Sequence, residues 1–204
     1  MKISVVGCGM WGPNLMRTFN NMGCLLSVHD ISNKNMDRFR NDPVYRDVKF
    51  TNDYRDAFAF GADAVAVATP PASHHKIAMA ALGRGKHVFI EKPMTLDVNE
   101  AEEIVHMSKG LTLMTGHIFL YSPEIRKLKQ IIMSDDFGDV QYVYLKRLNL
   151  GKIQTPANVI DDLIPHDVSI LNYVLNSECT EVSAVAKNHV LDTADVAFVN
   201  MRYG

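Results

Sequence analysis

The first residues whose type and spacing could bind a ligand are the three glycines of the segment VVGCGMWG. Gly7, Gly9 and Gly12 follow an apolar run typical of a buried strand and open a segment typical of a helix. At this spacing, the first glycine permits a tight turn, the second lets the backbone approach a pyrophosphate, and the third lets helix and strand pack closely. The helix N-terminus adds N–H groups and the positive end of its dipole. We therefore predict a dinucleotide site here rather than a merely structural turn.

Asp30 indicates which dinucleotide is bound. It stands eighteen positions after Gly12, at the end of a second apolar run, CLLSVH. A carboxylate at this place holds the ribose hydroxyls of the adenosine and repels a 2′-phosphate. We therefore expect NAD, with NADP less favoured, although Lys34 nearby would soften that preference.

The segment FIEKPMTL places Glu91, Lys92 and Pro93 together where an apolar run ends. One interpretation is structural: the strand leaves the sheet, its charges reach solvent, and the proline ends the ladder. The other is that Lys92 acts on a substrate, because ligands of open α/β sheets bind at the carboxyl ends of parallel strands.

The elements that must position these residues alternate over residues 1–116. Strands are predicted at KISVV, CLLSVH, VKF, DAVAVAT, HVFI and LTLMTG, with helical segments between them. Such βαβ units predict the α/β class, with an N-terminal Rossmann domain built on a doubly wound parallel sheet.

Residues 117–204 have a different pattern. Helices are predicted over 123–133 and 163–175, and strands at VQYVYLKRL, EVSAVAKNHV and DVAFVNMRY. Long alternating strands with few helices predict an α+β domain on an open, largely antiparallel sheet. We expect this to be a partial, C-terminally truncated substrate and oligomerisation domain.

Composition narrows the functional class. The chain has 204 residues, 47% hydrophobic and 22% charged, with a net charge of −2, as in an ordinary globular protein. It has no basic stripe that would indicate nucleic acid and no apolar run of membrane-spanning length. The three cysteines are widely separated, so we expect a reduced, cytoplasmic setting and no metal site.

The glycine fingerprint, ATPPASHH and EKP occur in that order, and with them the chain resembles the Gfo/Idh/MocA oxidoreductases, the glucose-fructose oxidoreductase and inositol dehydrogenase superfamily. The segments TGHIFLYSP, RLNLG and PHDVSIL are similar to the subgroup that oxidises nucleotide-linked sugars, such as UDP-N-acetylglucosaminuronate 3-dehydrogenases. The resemblance implies an NAD-dependent enzyme that transfers a hydride between the C3 hydroxyl position of a sugar ring and nicotinamide.

The resemblance also implies the catalytic residues Lys92, His166 and Asp162. Lys92 is suited to hold the substrate oxygen, and His166 is suited to accept the proton because its free pKa lies near neutrality. Asp162 lies four residues before His166 and could orient the imidazole, with plain helix capping as the alternative. Which of Lys92 and His166 is the principal base stays open.

Two further sets of residues complete the predicted site. The substrate residues are Lys92, Arg147, Asn149 and His166, with a solvated strand face as the alternative for Arg147 and Asn149. For His74, a surface role at a helix start is the alternative to a ribose contact. The predicted cofactor-binding residues are Gly7, Gly9, Met10, Trp11, Gly12, Asp30, Thr69, Pro70, His74, Glu91, Lys92 and His117.

The expected partners are a small-molecule sugar or nucleotide-sugar and, if the second domain is completed, further copies of the chain through its sheet. Two alternatives to this function remain. One is a non-catalytic NAD-binding fragment or sensor. The other is a dehydrogenase of inositol-type polyols.

Overall fold

The computed structural model describes residues 1–148, 158–190 and 192–204. The chain divides into two compact units, Met1–Gly116 and His117–Gly204. Each unit has its own sheet and its own helices.

The first unit is a six-stranded parallel sheet in the order β3-β2-β1-β4-β5-β6, which confirms the predicted doubly wound α/β fold. Short 3-10 helices lie in several of its connections. The strands are β1 Ile3–Val6, β2 Leu25–His29, β3 Lys49–Thr51, β4 Ala64–Val67, β5 His87–Ile90 and β6 Leu113–Thr115, and the helices are α1 Gly12–Asn21, α2 Asn33–Arg40, α3 His74–Leu82 and α4 Val98–Met107.

Helices cover both faces of this sheet, and each face has its own apolar cluster. Successive residues of a strand point to opposite faces. Accordingly, Val5 packs with Met16 of α1 and Met36 of α2, whereas Val6 belongs to the cluster that holds Ile104 of α4. Each such fully buried side chain contributes roughly 1.5–3 kcal/mol relative to exposure. Burial on both faces explains why the strands read as continuous apolar runs.

A row of buried polar side chains, joined by hydrogen bonds, lies within the apolar core near the end of β2. The hydroxyl oxygens of Ser4 and Ser27 are 2.7 Å apart, and Ser27 Oγ is 2.9 Å from His29 Nε2. His29 Nδ1 lies 3.0 Å from the carbonyl oxygen of Asp53 and donates to it when Nδ1 carries the proton. Burial lowers the pKa of His29 from 6.5 to about 4, so the ring is neutral at neutral pH.

The second unit combines two longer helices with a small antiparallel sheet, in agreement with the predicted α+β pattern. A 3-10 turn, Ile118–Tyr121, leads into α5 Pro123–Ile132. Helix α6 Val159–Leu175 is followed by β7 Cys179–Lys187 and β8 Val196–Tyr203, which pair with each other.

The predicted strand at VQYVYLKRL is wrong. Residues 140–148 contain no strand, although their alternation of apolar and polar residues is typical of one. A strand requires a neighbouring ladder for its backbone groups, and in the described part of this unit β7 and β8 pair only with each other.

The depressed pKa of His29 predicts acid sensitivity. The unfolded chain takes up a proton near pH 6.5 whereas the folded chain resists it until about pH 4. The free energy of unfolding should therefore fall by about 3 kcal/mol as pH decreases through this window, from this residue alone. Urea unfolding at a series of pH values measures the loss. In His29→Gln, which cannot titrate, the decline should be shallower by that amount; parallel curves for the two proteins would contradict the prediction.

Candidate functional site

Close contacts exclude side chains from two positions of the turn between β1 and α1. Gly7 has a φ of +96°, and a Cβ there would lie 2.6 Å from the carbonyl oxygen of Ala68. A Cβ on Gly12 would lie 1.9 Å from the carbonyl oxygen of Gly7. The start of α1 therefore packs directly on the turn, and these two glycines are required by the fold itself.

Gly9 has no such structural reason to be glycine. Among the described atoms, a Cβ on Gly9 would meet only Nδ2 of Asn35, at 4.0 Å. The side chain of the N-cap residue of helix α1, Trp11, accepts no hydrogen bond from the first turn, in which Pro13 has no N–H and the N–H of Asn14 donates to the carbonyl oxygen of Trp11 at 2.9 Å. Open space beside a helix N-terminus fits the pyrophosphate of a dinucleotide.

Asp30 is held in a fixed orientation at the end of β2. The N–H of Cys8 donates to its Oδ2 and the N–H of Ser32 donates to its Oδ1, both at 2.8 Å. Asn35 Nδ2 lies 3.3 Å from each oxygen. A carboxylate has about four acceptor positions, so Asp30 retains capacity for ribose hydroxyls. The residues around it fit the adenosine end of NAD.

The thiol beside Asp30 is chemically inert. Burial, and secondarily the charge of Asp30, raises the pKa of Cys8 to about 12. A neutral thiol is a poor nucleophile. Cys8 therefore acts through its backbone N–H rather than through its sulfur.

Glu91 and Lys92 lie at the carboxyl end of β5, on the same edge of the sheet as the glycine turn. The N–H of Glu91 donates to the carbonyl oxygen of Val67 at 2.9 Å, and the bond from Lys92 to Pro93 is cis. The indole of Trp11 lies beside the carboxylate of Glu91 and lowers its pKa, against the larger effect of burial, which raises it. This contact links the glycine turn to the Glu-Lys-Pro turn, and nothing in the sequence predicts it.

His74 ties two loops of this edge together. Its side chain is 1% exposed, so the alternative surface role is wrong. Nδ1 lies 2.9 Å from the carbonyl oxygen of Pro93, and Nε2 lies 2.8 Å from that of Thr69. In either neutral tautomer the ring N–H donates to one of these carbonyls. The predicted contact of His74 with the cofactor stays a prediction.

In the second unit, α6 begins earlier than its sequence indicates. The side chain of Asn158 accepts from the first-turn N–H groups at 2.9 Å, and the helix starts at Val159. The predicted helix over 163–175 therefore begins too late, and the capping alternative for Asp162 is wrong. Pro165 lies inside the helix rather than in its first turn.

His166 lies on the buried face of α6, where it is 7% exposed. The ring of Phe119 packs against it edge-on, with centroids 4.9 Å apart. The guanidinium of Arg147 lies 4.8 Å from the Phe119 centroid and donates from Nε to Asp167 at 2.6 Å. The charge of Arg147 thus has a partner within this unit, and the solvated-strand alternative for it is wrong.

His117 is the first residue of the second unit, and burial lowers its pKa. Its Nδ1 is buried and has no hydrogen-bond partner among the described residues. A neutral imidazole with one unused nitrogen can still donate to, or accept from, a ligand.

The predicted site residues fall into two sets, one in each unit. The first unit brings the glycine turn, Asp30, Thr69, Pro70 and the Glu-Lys-Pro turn to one sheet edge. The second holds His117, Arg147, Asp162 and His166, while Asn149 lies outside the described residues. Three residues were missed: Asn35, Phe119 and Asp167. Only Asp167, which directly follows His166, stands next to a predicted residue in the sequence.

Two kinds of feature do not occur in the described ranges. No three histidine, cysteine or carboxylate side chains gather there as a metal centre would require. No helix in them combines the length and the apolar character needed to cross a membrane.

Comparison with known proteins agrees with this geometry. The model of the GFO_IDH_MocA oxidoreductase family, which has an NAD-binding Rossmann fold, matches residues 1–117. The chain belongs to this family. The resemblance inferred from the sequence motifs is thereby confirmed.

Individual members of the family give a more detailed comparison. A UDP-N-acetylglucosamine 3-dehydrogenase of Acidithiobacillus ferrooxidans is 36% identical over 145 residues, covering 70% of this chain and 45% of that protein. An inositol 2-dehydrogenase of Serratia proteamaculans is 25% identical over 193 residues, covering 91% and 57%. The structure of UDP-N-acetylglucosamine 3-dehydrogenase GnnA from A. ferrooxidans superposes with a TM-score of 0.86 at 29% identity, covering 100% of this chain and 63% of that one. The chain spans about half the length of the curated relatives it matches.

The contrast between Gly9 and Gly12 predicts two different mutant phenotypes. Gly9→Ala should fold with unchanged thermal stability but lose at least about tenfold in affinity for NAD, because its methyl group enters space left for the pyrophosphate. Gly12→Ala should lose about 1–3 kcal/mol of stability, because its methyl group overlaps the Gly7 carbonyl. Thermal melts and NAD titration calorimetry separate the two effects. Full NAD affinity in Gly9→Ala would contradict this account of the turn.

Proposed function

We propose that this chain binds NAD and forms part of a dehydrogenase that transfers a hydride between a sugar hydroxyl carbon and nicotinamide. The observation that carries the proposal is the position of Lys92, which follows β5 on the same sheet edge as the open Gly9 turn and Asp30. Its substrate class is a sugar, nucleotide-linked and oxidised at C3, since a relative at 36% identity is a UDP-N-acetylglucosamine 3-dehydrogenase.

The preference for NAD over NADP follows from Asp30. Its carboxylate is oriented by the backbone N–H groups of Cys8 and Ser32, so it has little freedom to turn away from a ligand. A fixed negative charge accepts hydrogen bonds from ribose hydroxyls and repels a 2′-phosphate.

Oxidation of a secondary alcohol removes a hydride from carbon and a proton from oxygen, which leaves a ketone. NAD⁺ supplies the hydride acceptor when it is bound. The chain supplies the groups that handle the proton: Lys92 holds the substrate oxygen, and His166 accepts the proton with Lys92 sharing it. Asp162, one turn before His166 on α6, orients the imidazole. Lys92 is supported by its position in the first unit, and Asp162 and His166 are supported by their positions in the second unit.

A second substrate class is favoured by a specific observation. An inositol 2-dehydrogenase matches 91% of this chain, so an inositol-type polyol is the alternative substrate. Incubating the protein with NAD⁺ and either UDP-N-acetylglucosamine or inositol, and following NADH absorbance, distinguishes the two. Binding of NAD without turnover of any sugar or polyol would instead favour a non-catalytic NAD-binding role.

The remaining parts of the proposal concern assembly and location. Residues 117–204 form the substrate and oligomerisation domain, in which the apolar side chains of Val182, Val185 and Phe198 are exposed on β7 and β8. Copies of the chain associate through this sheet. The three cysteines are free, which suits the reducing cytoplasm.

Lys92→Met tests the catalytic assignment. Turnover should fall by about 10²–10⁴-fold, because the variant keeps the apolar stem and loses the group that holds the substrate oxygen. NADH binding, followed by its fluorescence, should change little. Lys86→Met, at the opposite end of β5, is the matched control and should retain activity. Equal activity of Lys92→Met and Lys86→Met would contradict the role of Lys92.

His166→Gln separates the two candidate bases. If His166 accepts the proton, the variant should lose the rate decrease that the wild-type protein has at acidic pH, because a glutamine does not titrate. Rates measured across the pH range on both proteins provide the comparison. An unchanged pH profile would assign the base to Lys92.

Asp30→Asn tests the cofactor preference. The amide keeps the shape of the carboxylate and an acceptor for one of the two neighbouring N–H groups, but it removes the charge that repels a 2′-phosphate. The ratio of NADP to NAD affinity should rise on the order of tenfold. Asp37→Asn, on the exposed part of α2, should leave the ratio unchanged. An unchanged ratio of NADP to NAD affinity in Asp30→Asn would show that Asp30 does not determine the cofactor preference.

A further inference from the structure

The topology of the first unit places the two ends of a dinucleotide on opposite sides of the switch point between β1 and β4. In doubly wound sheets, each half of the fold takes one mononucleotide. Asp30 follows β2, so the adenosine belongs over β1, β2 and β3. The nicotinamide half therefore belongs over β4, β5 and β6, and Glu91 directly follows β5.

The carboxyl group of Glu91 is fixed by its surroundings. The backbone N–H of Lys92 and the indole of Trp11 lie beside it and stabilise its charged form, which lowers its pKa against the effect of burial. A Cβ on Gly116 would lie 2.8 Å from Oε2, so a glycine is needed there for the carboxyl group to occupy its place. Its other oxygen, Oε1, is buried and has no hydrogen-bond partner in the part of the chain that the structure describes.

A fixed carboxylate at this place distinguishes the two oxidation states of the cofactor. The nicotinamide ring is positively charged in NAD⁺ and neutral in NADH, whereas the rest of the molecule is the same. We propose that Glu91, held by Trp11, makes this site prefer NAD⁺ over NADH. The inference rests on the proposed NAD-binding function and adds a residue that sets which redox form is held.

The preference has a consequence for the direction of reaction. Alcohol oxidation converts R₂CHOH and NAD⁺ into R₂C=O, NADH and H⁺, and the positive ring charge disappears when the hydride arrives. A site that binds the charged form more tightly loads NAD⁺ and releases NADH. Glu91 therefore favours the cofactor loading and release steps of the oxidative direction, while the overall equilibrium of the reaction is unchanged.

Glu91→Gln tests the proposal because it removes the charge and keeps an acceptor for the Trp11 indole. Calorimetric titrations of the whole chain with NAD⁺, NADH and ADP-ribose give three dissociation constants. They are made at a pH well above the pKa of Glu91, which burial raises. The ratio of the NAD⁺ to the NADH dissociation constant should rise on the order of tenfold. The ADP-ribose constant should change by less than about twofold, since it lacks the nicotinamide.

Two further variants separate the charge from its support. Trp11→Phe removes the indole N–H and should raise the same ratio by a smaller factor. Glu103→Gln, on α4, removes a carboxylate that contacts His75 and should leave the ratio as in the wild-type protein. Thermal melts establish that each variant is folded. If Glu91→Gln does not fold, Trp11→Phe supplies the test.

The outcomes distinguish this inference from the proposed function. If Glu91→Gln weakened the binding of all three ligands equally, the substitution would have distorted the binding site as a whole. That result would overturn the inference. An unchanged ratio, with ADP-ribose still bound, would overturn it while leaving NAD binding intact. Failure of the wild-type chain to bind any of the three ligands would overturn the proposed function and this inference with it.

Discussion

The contact between the start of α1 and the turn after β1 is the constraint on which the first unit depends. Gly12 lies against the carbonyl of Gly7, and Gly7 in turn lies against the loop after β4. No side chain fits at either point. Because helix α1 packs directly on the turn, its N-terminus faces the carboxyl edge of the sheet. Gly9 is then the open position where the phosphates of a ligand can approach.

Polar side chains extend this constraint along the sheet edge. Asp30 is anchored to the glycine turn through Cys8, and Glu91 through Trp11. His74 joins the loop after β4 to the turn after β5. These contacts fix the relative positions of groups that lie far apart in sequence. They give the candidate site its preorganisation before any cofactor binds, as efficient binding and catalysis require.

Much of the first unit is predictable from local patterns. Each βαβ unit combines an apolar strand with a helix, so the type and order of the elements follow from the apolar runs and the turn residues between them. The glycine spacing, Asp30 and the Glu-Lys-Pro segment also indicate the site, because parallel strands bring their carboxyl ends to one edge. The second unit was harder. Residues 140–148 have strand-like alternation but no ladder in the described chain, and α6 begins at Val159, before the start of the predicted helix over 163–175.

The sequence by itself determined the fold class of the first unit, its family and the residues that point to a dinucleotide. Those features depend on the types and spacing of residues close in sequence. Only the tertiary structure decided the partners: Trp11 with Glu91, Cys8 with Asp30, and Asp167 with Arg147. These contacts join residues from separate elements, and their existence depends on packing distances that no local pattern of residues encodes.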